Sequence, residues 1–472
     1  IIKKCYRKHR FEWYTRLLRS RTKPSGILAR KPIQTVEHHL SHAASAYYAS
    51  PYGNERIGVI TLDGAGDYSW GSVWIGENGK MQEILHLPYL NSIGLLYASI
   101  TNYMGFMAGR HEGKVLGLAA FGNPEPLLTR LLAHTNQKDW NYLFDARLAR
   151  VPLRPLSEIG MLVIKELCED LTHEDIAAGL QAYTEKVICG WVQKQARELK
   201  LSKLALAGGV FSNVKLNQRI LELPEIEKIY VHPNMGDGGL STGAAFEVYS
   251  RLNQGLTPRF DQLVYLGTEI NRENALQALR KFSMSYEEPD NLAQAAARLL
   301  ADGKVVARAD GKMEYGPRAL GNRTVMAPCH DPGINQWLNK KFARTEFMPF
   351  APVILQEHAK EYFPDWEEGQ IAARFMTITY DASEIARKNI PAAVHVDGTA
   401  RPQVIRREDN PGYYDILREY HAIIGIPSVI NTSFNMHEEP IVRTAEEAIV
   451  AFKTAELDAL VLGPFLCRAE PK

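Results

Sequence analysis

Ile57–Leu62 (IGVITL) runs straight into Asp63-Gly64-Ala65-Gly66-Asp67, and this stretch sets the fold class. A short apolar run closed by glycines and aspartates reads as a buried strand ending in a turn. Leu204–Ala207 (LALA) repeats the pattern: it ends at Gly208-Gly209 and a helical pattern follows. Strand, turn and helix in that order define α/β layering.

Working outward, the chain of 472 residues divides into two segments. Residues 1–262 hold both strands. Asn253–Gln262 (NQGLTPRFDQ) is rich in Gly, Pro and polar residues and reads as a linker. Residues 263–472 contain a helical stretch, Asn291–Ala301, then a strand, Lys304–Ala309. Near the end, Pro427–Ile430 reads as a strand entering a polar turn, Asn431–Asn435.

Composition narrows the function classes. The hydrophobic fraction is 45%, the charged fraction 23% and the formal net charge +1. These are values of a globular protein with no global field toward nucleic acid or an acidic membrane. No apolar run reaches the roughly 18 residues a membrane span needs. The first 23 residues are basic and aromatic, without the apolar centre of a signal peptide, and read as a solvated helix face. Five scattered cysteines form no CxxC pair, so neither a zinc site nor a disulfide framework is expected. A reducing, cytoplasmic setting fits that usage.

Four local motifs carry chemistry. In His38-His39-Leu40-Ser41-His42, His38 and His42 stand at i and i+4, on one side of a helix, as two ligands of one metal require. Chance histidines on a polar face remain the alternative. Asp63, at a strand end where α/β sheets place ligands, is a candidate third ligand, or simply a turn-forming Asp-Gly. Asp237, in Asn234-Met235-Gly236-Asp237-Gly238-Gly239, could reach the same ion, and that glycine run offers free N–H groups to a phosphate. Gly208-Gly209-Val210-Phe211-Ser212-Asn213 is a second nucleotide-cradle candidate. Two histidines and carboxylates suit iron, manganese or zinc alike.

The second segment has its own dense turns: Glu314–Arg323 (EYGPRALGNR), Asn339-Lys340-Lys341, Arg344–Pro352 (RTEFMPFAP), His395–Arg401 (HVDGTAR) and Asn431–Asn435 (NTSFN). Cations, hydroxyls and amides gathered in Gly/Pro-rich turns suit a polyanionic ligand better than a set of surface ion pairs.

Together and in this order, EHHLSHAASA, TLDGAGD, LALAGGVFSN, MGDGG, EYGPRALGNR, RTEFMPFAP, HVDGTARPQ and NTSFN resemble the NodU/CmcH family of O-carbamoyltransferases, from about Val36 to Leu466. The resemblance implies an actin-like (ribonuclease H-like) carbamoyl-transfer domain over 1–262, related to the tRNA threonylcarbamoyl transferases and lacking its N-terminal part. A YrdC-like domain over 263–472 would make carbamoyl-adenylate from ATP and carbamoyl phosphate. It further implies a divalent metal, iron first, on His38, His42, Asp63 and Asp237, with Mg2+ accompanying ATP. Gly208, Gly209, Asn213, Gly238 and Gly239 would hold the nucleotide. Arg318, Lys341 and Arg344, with Arg401, Ser433 and Asn435, would face carbamoyl phosphate and the ATP phosphates. The partner is then a small-molecule hydroxyl acceptor rather than nucleic acid or membrane, and a homodimer is the default assembly.

Two departures stand out. The family's opening stretch, with a His-Asp-Ser loop supplying an acid/base histidine, has no match, and the chain opens at Ile1. Lys312 replaces a frequent arginine and loses its bidentate fork. The acceptor pocket is expected along Asn91–Lys114, and the adenylation half-reaction is expected to need only the second segment. A tRNA threonylcarbamoyl transferase-like enzyme and a non-catalytic nucleotide- or metal-binding remnant are the alternatives.

Overall fold

The computed structural model describes residues 33–140, 143–150, 158–257, 264–342, 347–437 and 439–469. The basic N-terminal run, the end of the expected linker and Arg344 lie outside the described residues.

The first segment builds a five-stranded sheet from β1 (Ile57–Gly66), β2 (Ser69–Glu77), β3 (Lys80–Pro88), β4 (Lys203–Ala207) and β5 (Lys228–Val231). Their order is β3-β2-β1-β4-β5. β1, β2 and β3 form an antiparallel meander, while β4 and β5 run parallel to β1. β1 does not stop at Leu62 as its sequence suggests. It continues through a bulge between Leu62 and Gly66 to the Gly66–Ser69 pair. Asp67 and Tyr68 then turn the hairpin with φ of 47° and 67°, the two positive values a tight hairpin turn needs. The glycine run read as a turn is thus a bulged strand end, and a bulge re-aims side chains beside a site.

Alternation along β1 decides what faces what. Ile60 and Leu62 join the large core under the helices Ile93–Tyr103 and His173–Leu199. Ile57 and Val59 join a second core with Ala43, Ala44, Ala46 and Tyr47 of the helix His38–Tyr48. Continuing that alternation, Thr61 and Asp63 belong on the histidine side. β4 behaves likewise: Leu204 and Leu206 face the large core, whereas Ala205 and Ala207 let the histidine helix approach closely. The other flank of that helix meets the helix Leu240–Leu252, where a Cβ on Gly243 would lie 1.8 Å from the Ser41 carbonyl oxygen. Only glycine permits that approach.

The second segment contributes β6 (Tyr265–Ile270), β7 (Val306–Ala309), β8 (Gly311–Glu314), β9 (Arg323–Ala327), β10 (Ala351–Leu355), β11 (Tyr380–Asp381), β12 (Thr399–Ala400), β13 (Gln403–Ile405), β14 (Ser428–Ser433), β15 (Ala459–Leu462) and β16 (Phe465–Arg468). Seven of them form one mixed sheet, β13-β10-β14-β9-β7-β15-β16. The helix over Asn291–Ala301 forms as Leu292–Ala301, with Asn291 as its cap. β14 differs from its expected end: Asn431, Thr432 and Ser433 stay in the ladder rather than turning. Asn431 is buried without cost because its amide donates to Ala319 O at 2.9 Å and Gln403 Oε1 at 2.7 Å, and accepts from Thr324 at 3.0 Å.

The two segments meet along the helix Val214–Leu221. Asn217 donates to Thr377 O at 2.7 Å, Thr379 donates to Gln218 at 2.7 Å, and Lys215 pairs with Asp397 at 2.9 Å. Burial raises the Asp397 pKa, but hydrogen bonds from His395 and Thr399 and the charge of Lys215 outweigh it and hold the carboxyl well below the usual range. A depressed carboxyl stabilises the fold above its unfolded value of about 3.9, and that contribution fades as the pH falls below it. Asp397→Asn is therefore expected to cost about 1–2 kcal/mol at pH 7, allowing for solvent screening of a partly exposed pair. Urea unfolding at several pH values checks this. The deficit should narrow below about pH 4, and an equal deficit at every pH would contradict the assignment.

Candidate active site at the junction of the two segments

The histidine helix starts against the β1 hairpin. Glu37 caps it, accepting from Leu40 N at 2.7 Å, and Asp67 accepts from His38 N at 2.9 Å. Negative groups are stabilising at a helix N-terminus. The His38 ring lies over Gly66, where a Cβ would come 2.1 Å from His38 Cγ.

His38 Nε2 and His42 Nε2 converge on Asp63 Oδ2 at 3.0 and 3.2 Å. Asp237 Oδ1 stands 3.7 Å from the first and 3.5 Å from the second. One donor atom from each of these four residues lies within 4.8 Å of every other. Ligands about 2.1 Å from a common ion stand about 3.0 Å apart in octahedral and about 3.4 Å apart in tetrahedral geometry. The observed spacings bracket those values, so the donor set fits a borderline divalent cation.

Electrostatics agree. Burial raises the Asp63 pKa, yet hydrogen bonds from His38 and His42 overcome it and hold the carboxyl ionised, far below its ordinary value. Burial likewise opposes protonation of His42, but Asp237 and Asp63 raise its pKa. The negative charge that favours a proton on His42 favours a cation between these atoms too. His39 is not a further ligand: its Nδ1 meets Thr61 Oγ1 at 2.9 Å, and burial with its two histidine neighbours lowers its pKa well below the ordinary value. Burial, then the charge of His42, pushes His232 down to about 3.

The Gly208-Gly209 turn serves this cluster rather than an open anion cradle. Gly208 N donates to Met235 O at 2.6 Å, and Gly209 N donates to Asp63 Oδ1 at 3.1 Å. Asn213 caps the helix Val214–Leu221 through Leu216 N and donates to Gln181 at 2.8 Å. Gly239 N bonds to Gly236 O at 2.9 Å at the start of the helix Leu240–Leu252, and Gly238 is exposed beside Asp237.

A cleft of about 470 Å³ opens at the far end of the same turn, where Ser212 lines it. Four residues of 3₁₀ helix, Gly209–Ser212, join Asp63 to the cleft, a rise of about 6 Å at 2.0 Å per residue. Arg318, Arg401, Ser433 and Asn435 line it. Lys341 does not: it lies on the helix Ile334–Lys341, pairing with Glu456 at 2.8 Å. Arg110, His111 and Lys114, from the stretch expected to wall the acceptor pocket, also line the cleft, as do His437 and Glu439, which the sequence reading did not single out. The run Gly109–Lys114 (GRHEGK) carried a signal, three basic side chains between glycines, but its placement beside Arg318 depends on how two distant segments meet. Residues of both segments therefore line the cleft.

The described lining holds four cations, Arg110, Lys114, Arg318 and Arg401, against one carboxylate, Glu439. The volume is ordinary for a ligand site, and the described charges are of the sign that suits an anionic ligand. No helix among the described residues is long and apolar enough to cross a membrane. Cys168, Cys189, Cys329 and Cys467 are free thiols, each pushed up to about 12 by burial.

The comparisons with known proteins define the reaction class. The family model described as carbamoyltransferase N-terminus matches residues 3–246, and that described as carbamoyltransferase C-terminus matches 297–469. The chain belongs to the carbamoyltransferase family and is a transferase enzyme. An uncharacterized protein of Methanocaldococcus jannaschii is 33% identical over 462 residues, covering 93% of this chain and 74% of that protein. Nodulation protein NolNO of Sinorhizobium fredii is 32% identical over 445 residues, and the chain spans 64% of its length. Nodulation protein NolO of Bradyrhizobium diazoefficiens is 32% identical, over 92% of this chain and 79% of that protein. A crystal structure of full-length HypF in its phosphate- and nucleotide-bound form overlaps 48% of this chain and 44% of its own, at 16% identity and a TM-score of 0.28, too low to define a common fold.

Wild-type protein purified without oxygen and supplied with Fe2+, Mn2+ or Zn2+ is expected to retain about one ion per chain by elemental analysis. His42→Ala and Asp63→Ala should each weaken binding at least tenfold, the scale on which even supporting residues act at metal sites. Unchanged metal content in both variants would exclude this cluster as the site.

Proposed function

We propose that this carbamoyltransferase is ATP-dependent: it forms carbamoyl-adenylate from carbamoyl phosphate and ATP and passes the carbamoyl group to a hydroxyl of a small molecule or sugar. The observation that carries the reading is the cationic cleft standing one turn away from the histidine–aspartate cluster, within a chain matched by both halves of the family. The five-stranded sheet, a meander extended by two parallel strands, supports an actin-like first domain. The second sheet, with Arg318, Arg401, Ser433 and Asn435 around the cleft, supports a YrdC-like adenylating domain.

In this mechanism the cleft binds the phosphates. Water releases orthophosphate from carbamoyl phosphate, an oxygen of the resulting carbamate bonds to the α-phosphorus of ATP, and Arg318 and Arg401 neutralise charge that spreads over phosphoryl oxygens as pyrophosphate departs. Ser433 and Asn435, held at the end of β14, orient the carbamoyl donor by hydrogen bonding. A divalent metal, iron first among the candidates, held by His38, His42, Asp63 and Asp237, would polarise the carbamoyl oxygen as a Lewis acid. Asp63 and the Gly209 amide fix the geometry of that end of the site. The acceptor oxygen bonds to the carbamoyl carbon, AMP leaves, and the acceptor's proton passes to base or solvent. The short path along Gly209–Ser212 limits exposure of a reactive mixed anhydride to water.

Pyrophosphate release is measured with ATP and carbamoyl phosphate, with no acceptor present. Release should require carbamoyl phosphate and fall at least a hundredfold in Arg318→Ala, the loss seen when one charge-stabilising donor is removed. Release that ignores carbamoyl phosphate, or survives the substitution intact, would refute the adenylation chemistry.

A further inference from the structure

We propose that Tyr315, on the second segment, is a positioning residue for Asp237: its hydroxyl closes the loop that presents this fourth carboxylate to the two histidines. This rests on the metal reading of the cluster and deepens it. Three of the four donor residues are fixed by regular structure. His38 and His42 share one helix, and Asp63 stands in β1, braced by the amides of Gly64 at 2.8 Å and Gly209 at 3.1 Å. Asp237 is held differently. It opens a 3₁₀ turn, Asp237–Gly239, its side chain is 70% exposed, and it stands 3.7 and 3.5 Å from the imidazoles that Asp63 meets at 3.0 and 3.2 Å. Its place is therefore set by the loop it stands on.

Tyr315 joins the two ends of that loop. Residues 232–242 carry the chain from the end of β5 into the helix Leu240–Leu252. The Tyr315 hydroxyl lies 3.2 Å from His232 Nε2 at the start of the loop and donates to Thr242 Oγ1 at 2.9 Å at its end. With its proton given to Thr242, the hydroxyl accepts from His232. Burial raises the Tyr315 pKa against the pull of hydrogen bonds with Thr242 and Asn234, so the phenol stays protonated. The Asn234 side chain in turn packs on Gly238, where a Cβ would come 2.7 Å from Asn234 Oδ1.

The residue that closes the loop is itself held stiffly. Tyr315 N donates to Val264 O at 2.5 Å, and the adjoining Glu314 carboxylate accepts from the amides of Leu320, Asn322 and Arg323 at 2.8, 2.8 and 3.0 Å. Gly316, at φ 110°, presses its backbone onto the first segment: a Cβ there would lie 2.7 Å from Pro233 O. The stretch that reaches the histidine–aspartate cluster through Tyr315 also lines the cleft through Arg318.

Zn2+ affinity of the full chain, stripped of metal, is measured by competition with a chromophoric chelator for wild type, Tyr315→Phe, Asp237→Ala and the double variant. The proposal expects Tyr315→Phe to raise the Kd about tenfold, the scale on which supporting residues act at metal sites. In the Asp237→Ala background the same substitution should change the Kd less than about twofold, because the loop then presents no ligand. A wild-type Kd in Tyr315→Phe, or a tenfold loss that persists without Asp237, would overturn the proposal. Amide hydrogen exchange reads the loop without metal. Gly239 N and Gly208 N, bonded to Gly236 O and Met235 O, should exchange at least about tenfold faster in Tyr315→Phe, with no change in the helix His173–Leu199. Exchange equal to wild type at both amides would also overturn it. Should wild type bind no Zn2+, the metal reading fails by itself, and exchange alone decides the role of Tyr315. Thr242→Val removes the acceptor of the same hydrogen bond; it should reproduce both effects, and it replaces Tyr315→Phe if that variant does not fold.

Discussion

The Asp63 carboxylate, shared between two imidazoles and the backbone amides of Gly64 and Gly209, is the interaction around which the first segment is arranged. It needs β1 to carry one residue past its apolar run into a bulge, so that the alternation bringing Ile57, Val59 and Thr61 to the histidine helix brings Asp63 there too. It needs a helix that approaches closely, which Ala205, Ala207 and Gly243 allow. It also needs the Gly209 amide, which takes its second oxygen. A buried carboxylate with fewer partners would be costly; with these, it stays ionised and can anchor a cation.

The same turn that binds Asp63 leads to the cleft, so the two chemical centres share one rigid piece of backbone. The cleft belongs to neither segment alone. β14 and the Glu314–Arg323 loop provide one wall, and the run around Arg110–Lys114 provides the other. Contacts through the helix Val214–Leu221 fix the register of these walls. In a proposed two-step transfer, that rigidity keeps the site of activation about one helical turn from the site of use, and pre-set geometry is a large share of what an enzyme supplies.

Much of this was legible in the sequence because it is local. The i, i+4 histidines, the apolar run before Asp63 and the Asp237 turn are short-range patterns. What escaped is non-local. β1 and β14 overrun their expected ends because a hairpin partner in one case, and a fully bonded buried asparagine in the other, lie far along the chain. The Gly208 and Gly209 amides read as free donors, but their acceptors, Met235 and Asp63, come from other loops. Lys341 read as a phosphate ligand, yet Glu456, more than a hundred residues on, holds it elsewhere. Arg110 and Lys114 fall in the stretch expected to wall the acceptor pocket, but nothing in their neighbourhood announces the second-segment arginines that line the same cleft.

X-ray absorption at the metal edge, after Fe2+ is supplied to wild-type protein and to Asp63→Asn, tests the central arrangement most directly. The account expects two imidazole nitrogens and carboxylate oxygens at about 2.0–2.2 Å in wild type, with one oxygen lost or lengthened in the variant. A coordination shell without imidazole, or one that Asp63→Asn leaves unchanged, would contradict it.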